Sequence, residues 1–220
     1  MELDIYPHKR ILFSISGGTD SALLLYLVCK HITENNLTDI IITPWTVVDI
    51  HRPGNEKIVQ IILDMIISFY PNINLKPLLV DYIDVKMNNS SSKLTLMRNI
   101  NKQQFRSGQY DMLMFALTNS PPVELSAPLE TPEDRNPNTV KPEKEYLSEY
   151  NVTLYGPFVN VNKKGIAHLY EKHNLMDLLF PITQSCIGLP EETDNGTKPC
   201  KKCFWCLEKF WAFGRYDFNQ

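Results

Sequence analysis

The chain has 220 residues, 43% hydrophobic and 21% charged, with a formal net charge of -3. That is enough for one α/β domain with a small appendage, and it excludes a disordered chain. No stretch approaches the ~18 uninterrupted apolar residues of a membrane-spanning helix, and Met1 to Arg10 lacks the apolar core of a secretory signal, so a cytoplasmic protein with no membrane partner is expected. The charge balance gives no global drive toward nucleic acid and points to small-molecule chemistry.

Ile11 to Ile15 reads as a short buried strand, Ser16-Gly17-Gly18-Thr19-Asp20-Ser21 as a polar turn, and Ala22 to Cys29 as a helix. Ile40 to Val48 makes a second strand, and Glu56 to Phe69 has apolar residues at helical spacing. A third strand is expected at Leu78 to Ile83, a polar helix at Met97 to Gln109, a fourth strand at Met112 to Leu117 and a fifth at Leu154 to Phe158. Strands alternating with helices predict an α/β fold with a doubly wound, mainly parallel sheet. Residues 119–150 are rich in Pro, Glu, Lys and Ser and read as a long surface loop, either a lid or a plain insertion. Gly165 to Leu179 reads as a further helix. The expected division is a nucleotide-binding domain over residues 1–180 and a small metal-binding module over 181–220.

The turn at Ser16 to Ser21 lies between a buried strand and a helix start, where backbone N–H groups and the helix dipole both favour an anion. Gly17 and Gly18 let the main chain approach closely, and the Ser16, Thr19 and Ser21 hydroxyls can donate to phosphate oxygens. Asp20 would repel a polyphosphate, so it is expected to cap the helix, with an outer-shell Mg²⁺ role as the second reading. A turn with glycines for steric reasons alone is the competing reading.

Cys186, Cys200, Cys203 and Cys206 gather near the C-terminus, the last three as a CxxCxxC run, while Cys29 sits alone among apolar residues. In a reducing compartment such clustered thiols are metal ligands sooner than disulfide partners, and a closed all-thiolate site suits structural Zn²⁺, with an iron–sulfur cluster as the alternative. Cys29 reads as packing. Lys198, Lys201, Lys202, Lys209 and Arg215 alternate with aromatics. They read either as a single-strand nucleic-acid patch or as exposed lysines on a helix, Leu207 to Phe213, that packs the module onto the main domain.

SGGTDS at residues 16–21 resembles the SGGxDS signature of the PP-loop ATP pyrophosphatases, in which the turn holds the β and γ phosphates while an acceptor attacks the α phosphate. With Gly156-Pro157-Phe158, Lys163 before Ile166, Thr183-Gln184-Ser185-Cys186 and the CxxCxxC run followed by Leu207 to Phe213, the order of elements resembles the 7-cyano-7-deazaguanine synthase (QueC) family from end to end. The resemblance implies ATP and Mg²⁺, one Zn²⁺ on the four cysteines, and 7-carboxy-7-deazaguanine and ammonia as substrates. It implies ATP contacts by Ser16, Gly17, Gly18, Thr19, Asp20 and Ser21, catalytic roles for Lys163, Arg98 and Asp20, no direct nucleic-acid partner, and a homodimer. Lys163, beside Lys164, also reads as a solvated charge, and Arg98 as a surface arginine. Val48 to Gly54 replaces the family's aromatic-Gly-Gln-Arg-His run, and Asn119 to Pro122 lacks its Y-P-D-C segment, which marks a divergent member resembling the forms found in phages as well as bacteria. His51 and Arg52 are candidate substrate contacts. The alternatives are another PP-loop adenylating enzyme (a tRNA thiolase or an amide-forming ligase) and a non-catalytic nucleotide- or nucleic-acid-binding module.

Overall fold

The structure, a computed structural model, describes residues 2–51, 54–84, 93–122, 142–194 and 196–217, with the backbone alone for 93–98. In chain order the elements are β1 Arg10–Ser14, α1 Thr19–Glu34, β2 Ile41–Asp49, α2 Asn55–Phe69, β3 Asn74–Leu75, β4 Leu79–Ile83, α3 Lys93–Arg106, β5 Met112–Met114, β6 Lys144–Leu147, β7 Val152–Tyr155, α4 Lys163–Lys172, α5 Pro190–Thr193 and α6 Phe204–Phe213.

The strands form one sheet in the order β3-β2-β1-β5-β7-β6, with β4 also paired to β2. All pairings are parallel except that of β6 with β7. Pro77 cannot donate to the ladder, so the segment beside β2 is divided: β3 holds Ile41 and Ile42, and β4 holds Trp45 to Asp49. Ile11, Leu12 and Phe13 are fully buried, as a central strand covered on both faces requires. Successive residues point to opposite faces. Ile11, Phe13, Ile42, Met112 and Met114 therefore pack with α1, α2 and α4, whereas Leu12, Trp45, Leu113 and Val152 meet Phe105 of α3 and Tyr110.

Because β2 and β5 flank β1 on opposite sides, the winding reverses there, and a crevice opens at the carboxyl end of β1, the usual ligand position in such sheets. The glycine turn follows β1 directly.

Several expected boundaries move. The first helix begins three residues earlier, at Thr19, and runs on to Glu34. The helix expected over 165–179 is α4, which stops at Lys172, where Asn174 takes a positive φ of 56°. The long-loop reading of 119–150 is corrected at its end: β6 lies within it as an edge strand on β7. Residues 123–141, on which the lid reading rests, lie outside the described residues. The tail helix α6 starts at Phe204, with Cys203 at its N-cap and Gly214, φ 65°, at its end. Phe213 docks it against Phe180 and Tyr170, with ring centroids 4.9 and 5.6 Å away. No helix among the described residues is long and apolar enough to cross a membrane.

Candidate functional site

Gly17 has a φ of 81°, and a Cβ there would stand 3.1 Å from Asn55 Oδ1 and 3.3 Å from Ile58 Cγ2. Its lack of a side chain therefore serves both the turn and the approach of α2. Gly18 is the N-cap of α1 and supplies no capping side chain, so N–H groups of the first helical turn remain available to an anion. The serine hydroxyls brace the turn: Ser21 Oγ accepts from Ser16 N at 3.1 Å, lies 3.2 Å from Ser16 Oγ and donates to Gly18 O at 3.2 Å.

Asp20 does not cap the helix as expected. It stands in the first turn of α1, and both its oxygens accept from Lys163 Nζ, at 2.7 and 2.8 Å. The pair is closed from the other side by Glu208 Oε2, 3.7 Å from Lys163 Nζ. Lys163 is 3% and Glu208 0% exposed, so Lys163 is a buried ion-pair centre and not the solvated charge of the alternative reading. Lys164 is the exposed neighbour, its ammonium 4.8 Å from the Trp211 ring centroid. Above the pair, Tyr170 donates its hydroxyl to Thr19 O at 2.9 Å, and burial, with Asp20 nearby, pushes its pKa well up. Arg98 falls on α3, and its side chain lies outside the described residues.

Cys186, Cys200, Cys203 and Cys206 place their sulfurs within 4.8 Å of one another. Tetrahedral Zn–S bonds of about 2.3 Å put sulfurs roughly 3.8 Å apart, and Cys200 and Cys206 are already 3.9 Å apart. Backbone N–H groups of Gly188 and Cys200 point at Cys186 Sγ, at 3.3 and 3.2 Å, and that of Cys203 at Cys200 Sγ, at 3.4 Å. Such donors stabilise thiolate, the ligand form. A Cβ on Gly188 would come within 2.8 Å of Cys200 Cβ and 3.3 Å of its sulfur, so the knuckle requires glycine. Donor set, spacing and hydrogen bonds fit a metal. Cys29 is a core residue whose thiol burial pushes up to about 12.

A second buried ion pair joins this cluster to the rest. Lys209, read from the sequence as an exposed lysine, is 0% exposed and pairs with Asp217, itself 1% exposed. Lys209 also donates to Thr183 Oγ1 at 3.2 Å and stands 4.4 Å from the Phe180 ring centroid. Burial lowers the Lys209 pKa against the pull of Asp217. Asp217 in turn accepts from the backbone N–H groups of Ser185 and Cys186, at 2.9 and 2.8 Å. The sequence reading does not single out Glu208 and Asp217, and it places Lys209 at the surface. The one signal was a Glu-Lys pair inside the aromatic run of α6.

Three of the other tail cations have partners: Lys202 pairs with Glu192 at 2.6 Å, Lys198 with Asp194 at 3.9 Å, and Lys201 lies 5.4 Å from the Tyr216 ring centroid; Arg215 is exposed. Beyond β2, His51 Nε2 lies 3.0 Å from Asp84 Oδ1, and the His51 N–H donates to Asp49. This places His51 at the carboxyl edge of the sheet. Arg52 lies outside the described residues.

No family model matches the sequence, and no curated protein does. Among solved structures, the U34-tRNA thiolase NcsA from Methanococcus maripaludis, with its 4Fe-4S cluster, is 12% identical with a TM-score of 0.47, over 76% of this chain and 58% of that one. A 4-thiouridine synthetase in complex with RNA and with bound ATP is 16% identical with a TM-score of 0.48, over 94% of this chain and 53% of that one. The NAD+ synthetase from Burkholderia pseudomallei is 10% identical with a TM-score of 0.40, over 94% and 74%. These neighbours belong to the PP-loop ATP pyrophosphatase superfamily. The chain spans little more than half the length of the first two, 58% and 53%.

Proposed function

We propose that the chain is an ATP-dependent enzyme that activates an oxygen of its acceptor by adenylation, and that the acceptor is 7-carboxy-7-deazaguanine, converted with ammonia to 7-cyano-7-deazaguanine. The observation that carries this reading is the placement of the Ser16 to Ser21 turn at the winding reversal, with the Asp20–Lys163 pair beneath it.

A carboxylate is a poor electrophile. Its oxygen attacks the α phosphate of ATP and pyrophosphate leaves. Ammonia then displaces AMP to give the amide, with loss of a proton. The amide oxygen attacks a second ATP, pyrophosphate leaves again, and elimination of AMP with a proton gives the nitrile. The chain contributes positioning and charge neutralisation. Gly17, Gly18 and the first-turn N–H groups of α1 hold the departing pyrophosphate, and the Ser16 and Ser21 hydroxyls fix the turn. Lys163 acts through Asp20: it anchors the first turn of α1 and neutralises a carboxylate that would otherwise repel the polyphosphate. Mg²⁺ would offset the polyphosphate charge and would arrive on the nucleotide, since both Asp20 oxygens are taken by Lys163. Cys186, Cys200, Cys203 and Cys206 would hold Zn²⁺ as a structural ion. A thiolase that carries its sulfur on a cysteine would need a free thiol or a separate sulfur donor, whereas four of the five cysteines are clustered and Cys29 is buried.

The test is exchange of labelled pyrophosphate into ATP by metal-replete protein, with and without 7-carboxy-7-deazaguanine. Exchange that depends on the acid and is lost in Ser21→Ala supports the reading. ATP binding without acid-dependent exchange overturns the acceptor.

A further inference from the structure

We propose that Ser185 is a further ligand of the bound polyphosphate, a hydroxyl that the cysteine module delivers to the glycine turn. The inference rests on reading that turn as a nucleotide cradle. Ser185 Oγ is buried and, among the described residues, has no hydrogen-bond partner. A buried hydroxyl in that state has given up water and received nothing in return. Native proteins keep few such groups, and a ligand that completes the bond is one reason to keep them.

The surroundings point to that ligand. A methyl group built on Gly18 would lie 3.5 Å from Ser185 Oγ, 3.5 Å from Ser16 Oγ and 3.9 Å from the Gln184 carbonyl oxygen, so both hydroxyls and that carbonyl border the space beside the residue that opens α1. An anion drawn to the first turn of α1 meets the Ser185 O–H there, while the Ser16 hydroxyl stays in the brace with Ser21. The Ser185 backbone is held in place without help from its hydroxyl. Gln184 N donates to Gly17 O at 2.9 Å, tying the segment to the turn. The N–H groups of Ser185 and Cys186 are both fixed on Asp217 Oδ2, and Asp217 is fixed by Lys209. The hydroxyl is thus set beforehand at the place where charge arrives, as a useful anion ligand must be. Its position next to Cys186 also means that the metal ligands and the polyphosphate would share one short segment.

The test is calorimetric binding of inorganic pyrophosphate, ATP with Mg²⁺, and AMP to metal-replete wild type, Ser185→Ala and Ser185→Thr. Losing a hydrogen bond to a charged group weakens binding roughly tenfold or more. Ser185→Ala should show that loss for pyrophosphate and ATP and little change for AMP, with unchanged metal content and a melting temperature that is equal or higher. Ser185→Thr, which keeps the hydroxyl, should bind close to wild type. Ser185→Gly is the second deletion should the Ala variant not fold. Wild-type affinity in the deletions overturns the inference. So does equal weakening toward AMP, or weakening that comes with lost metal or lowered stability, because the hydroxyl would then act elsewhere or on the scaffold. A wild type that binds none of the three ligands defeats the cradle reading itself, an outcome distinct from the others.

Discussion

Gly17 and Gly18 are adjacent, yet the backbone asks different things of them. Gly17 sits at a φ of 81° with α2 against it, so Gly17→Ala incurs left-handed strain and a tight contact with Asn55. Strain of that kind costs about 1–3 kcal/mol, and chemical denaturation should register a loss of that order. Gly18 has a φ of -79°, and its added Cβ meets the Ser16 and Ser185 hydroxyls at an ordinary 3.5 Å. Gly18→Ala should fold nearly as well as wild type and still lose most pyrophosphate affinity, since the methyl fills the face an anion would occupy. Equal stability losses in the two variants would contradict this division, and retained affinity in Gly18→Ala would move the anion elsewhere.

At the scale of elements, α1, α4 and α6 meet through charges. Asp20 comes from the first helix, Lys163 from the second and Glu208 from the third, all buried. Removing Lys163 takes from Asp20 and Glu208 the cation they share, and breaking a buried ion pair in this way typically costs about 3–5 kcal/mol. Lys163→Met should therefore destabilise by about that amount, and the double variant Asp20→Asn, Lys163→Met should recover part of it. A double variant no more stable than the single one would mean that the pair is not coupled. These three residues also mark how far the sequence could be read. The strand, glycine turn and first helix were legible because apolar runs and turn residues are local signals, and the four cysteines were legible by spacing. Glu208 and Lys209 were not, since their burial depends on Lys163, Thr183 and Asp217, which periodicity within α6 cannot reveal. The edge strand β6, Lys144 to Leu147, was hidden for a related reason: charged and half-exposed, it is a strand only because β7 pairs with it. The end of α4 was overrun because Leu175 and Leu179 are buried and continue the apolar pattern after the helix has stopped.

Across the whole molecule, the two chemically distinctive places are joined by a short physical path. From the cysteine cluster, Cys186 and Ser185 are clamped by Asp217, Asp217 by Lys209 on α6, and Gln184 by the carbonyl of Gly17. Cys203 caps α6 and Cys206 lies in its first turn, so the metal ligands also set the helix that carries Glu208 toward Lys163. If a metal orders this path, metal and polyphosphate are linked ligands, and linkage is reciprocal: the factor by which metal strengthens pyrophosphate binding equals the factor by which pyrophosphate strengthens metal binding. Couplings of this sort are usually 5–150-fold. Two titrations measure the two sides separately. Pyrophosphate affinity is taken for metal-replete and chelator-stripped protein, and zinc affinity against a competing chromophoric chelator is taken with and without saturating pyrophosphate. Both ratios should exceed about fivefold and agree within error. Lys209→Met should reduce both together, because it loosens the clamp on Ser185 while leaving all four sulfurs in the chain. Ratios near one would show that the cysteine cluster only holds the tail in place. A pyrophosphate ratio well above one without its zinc counterpart would show that the stripped protein had lost its fold and not merely its metal.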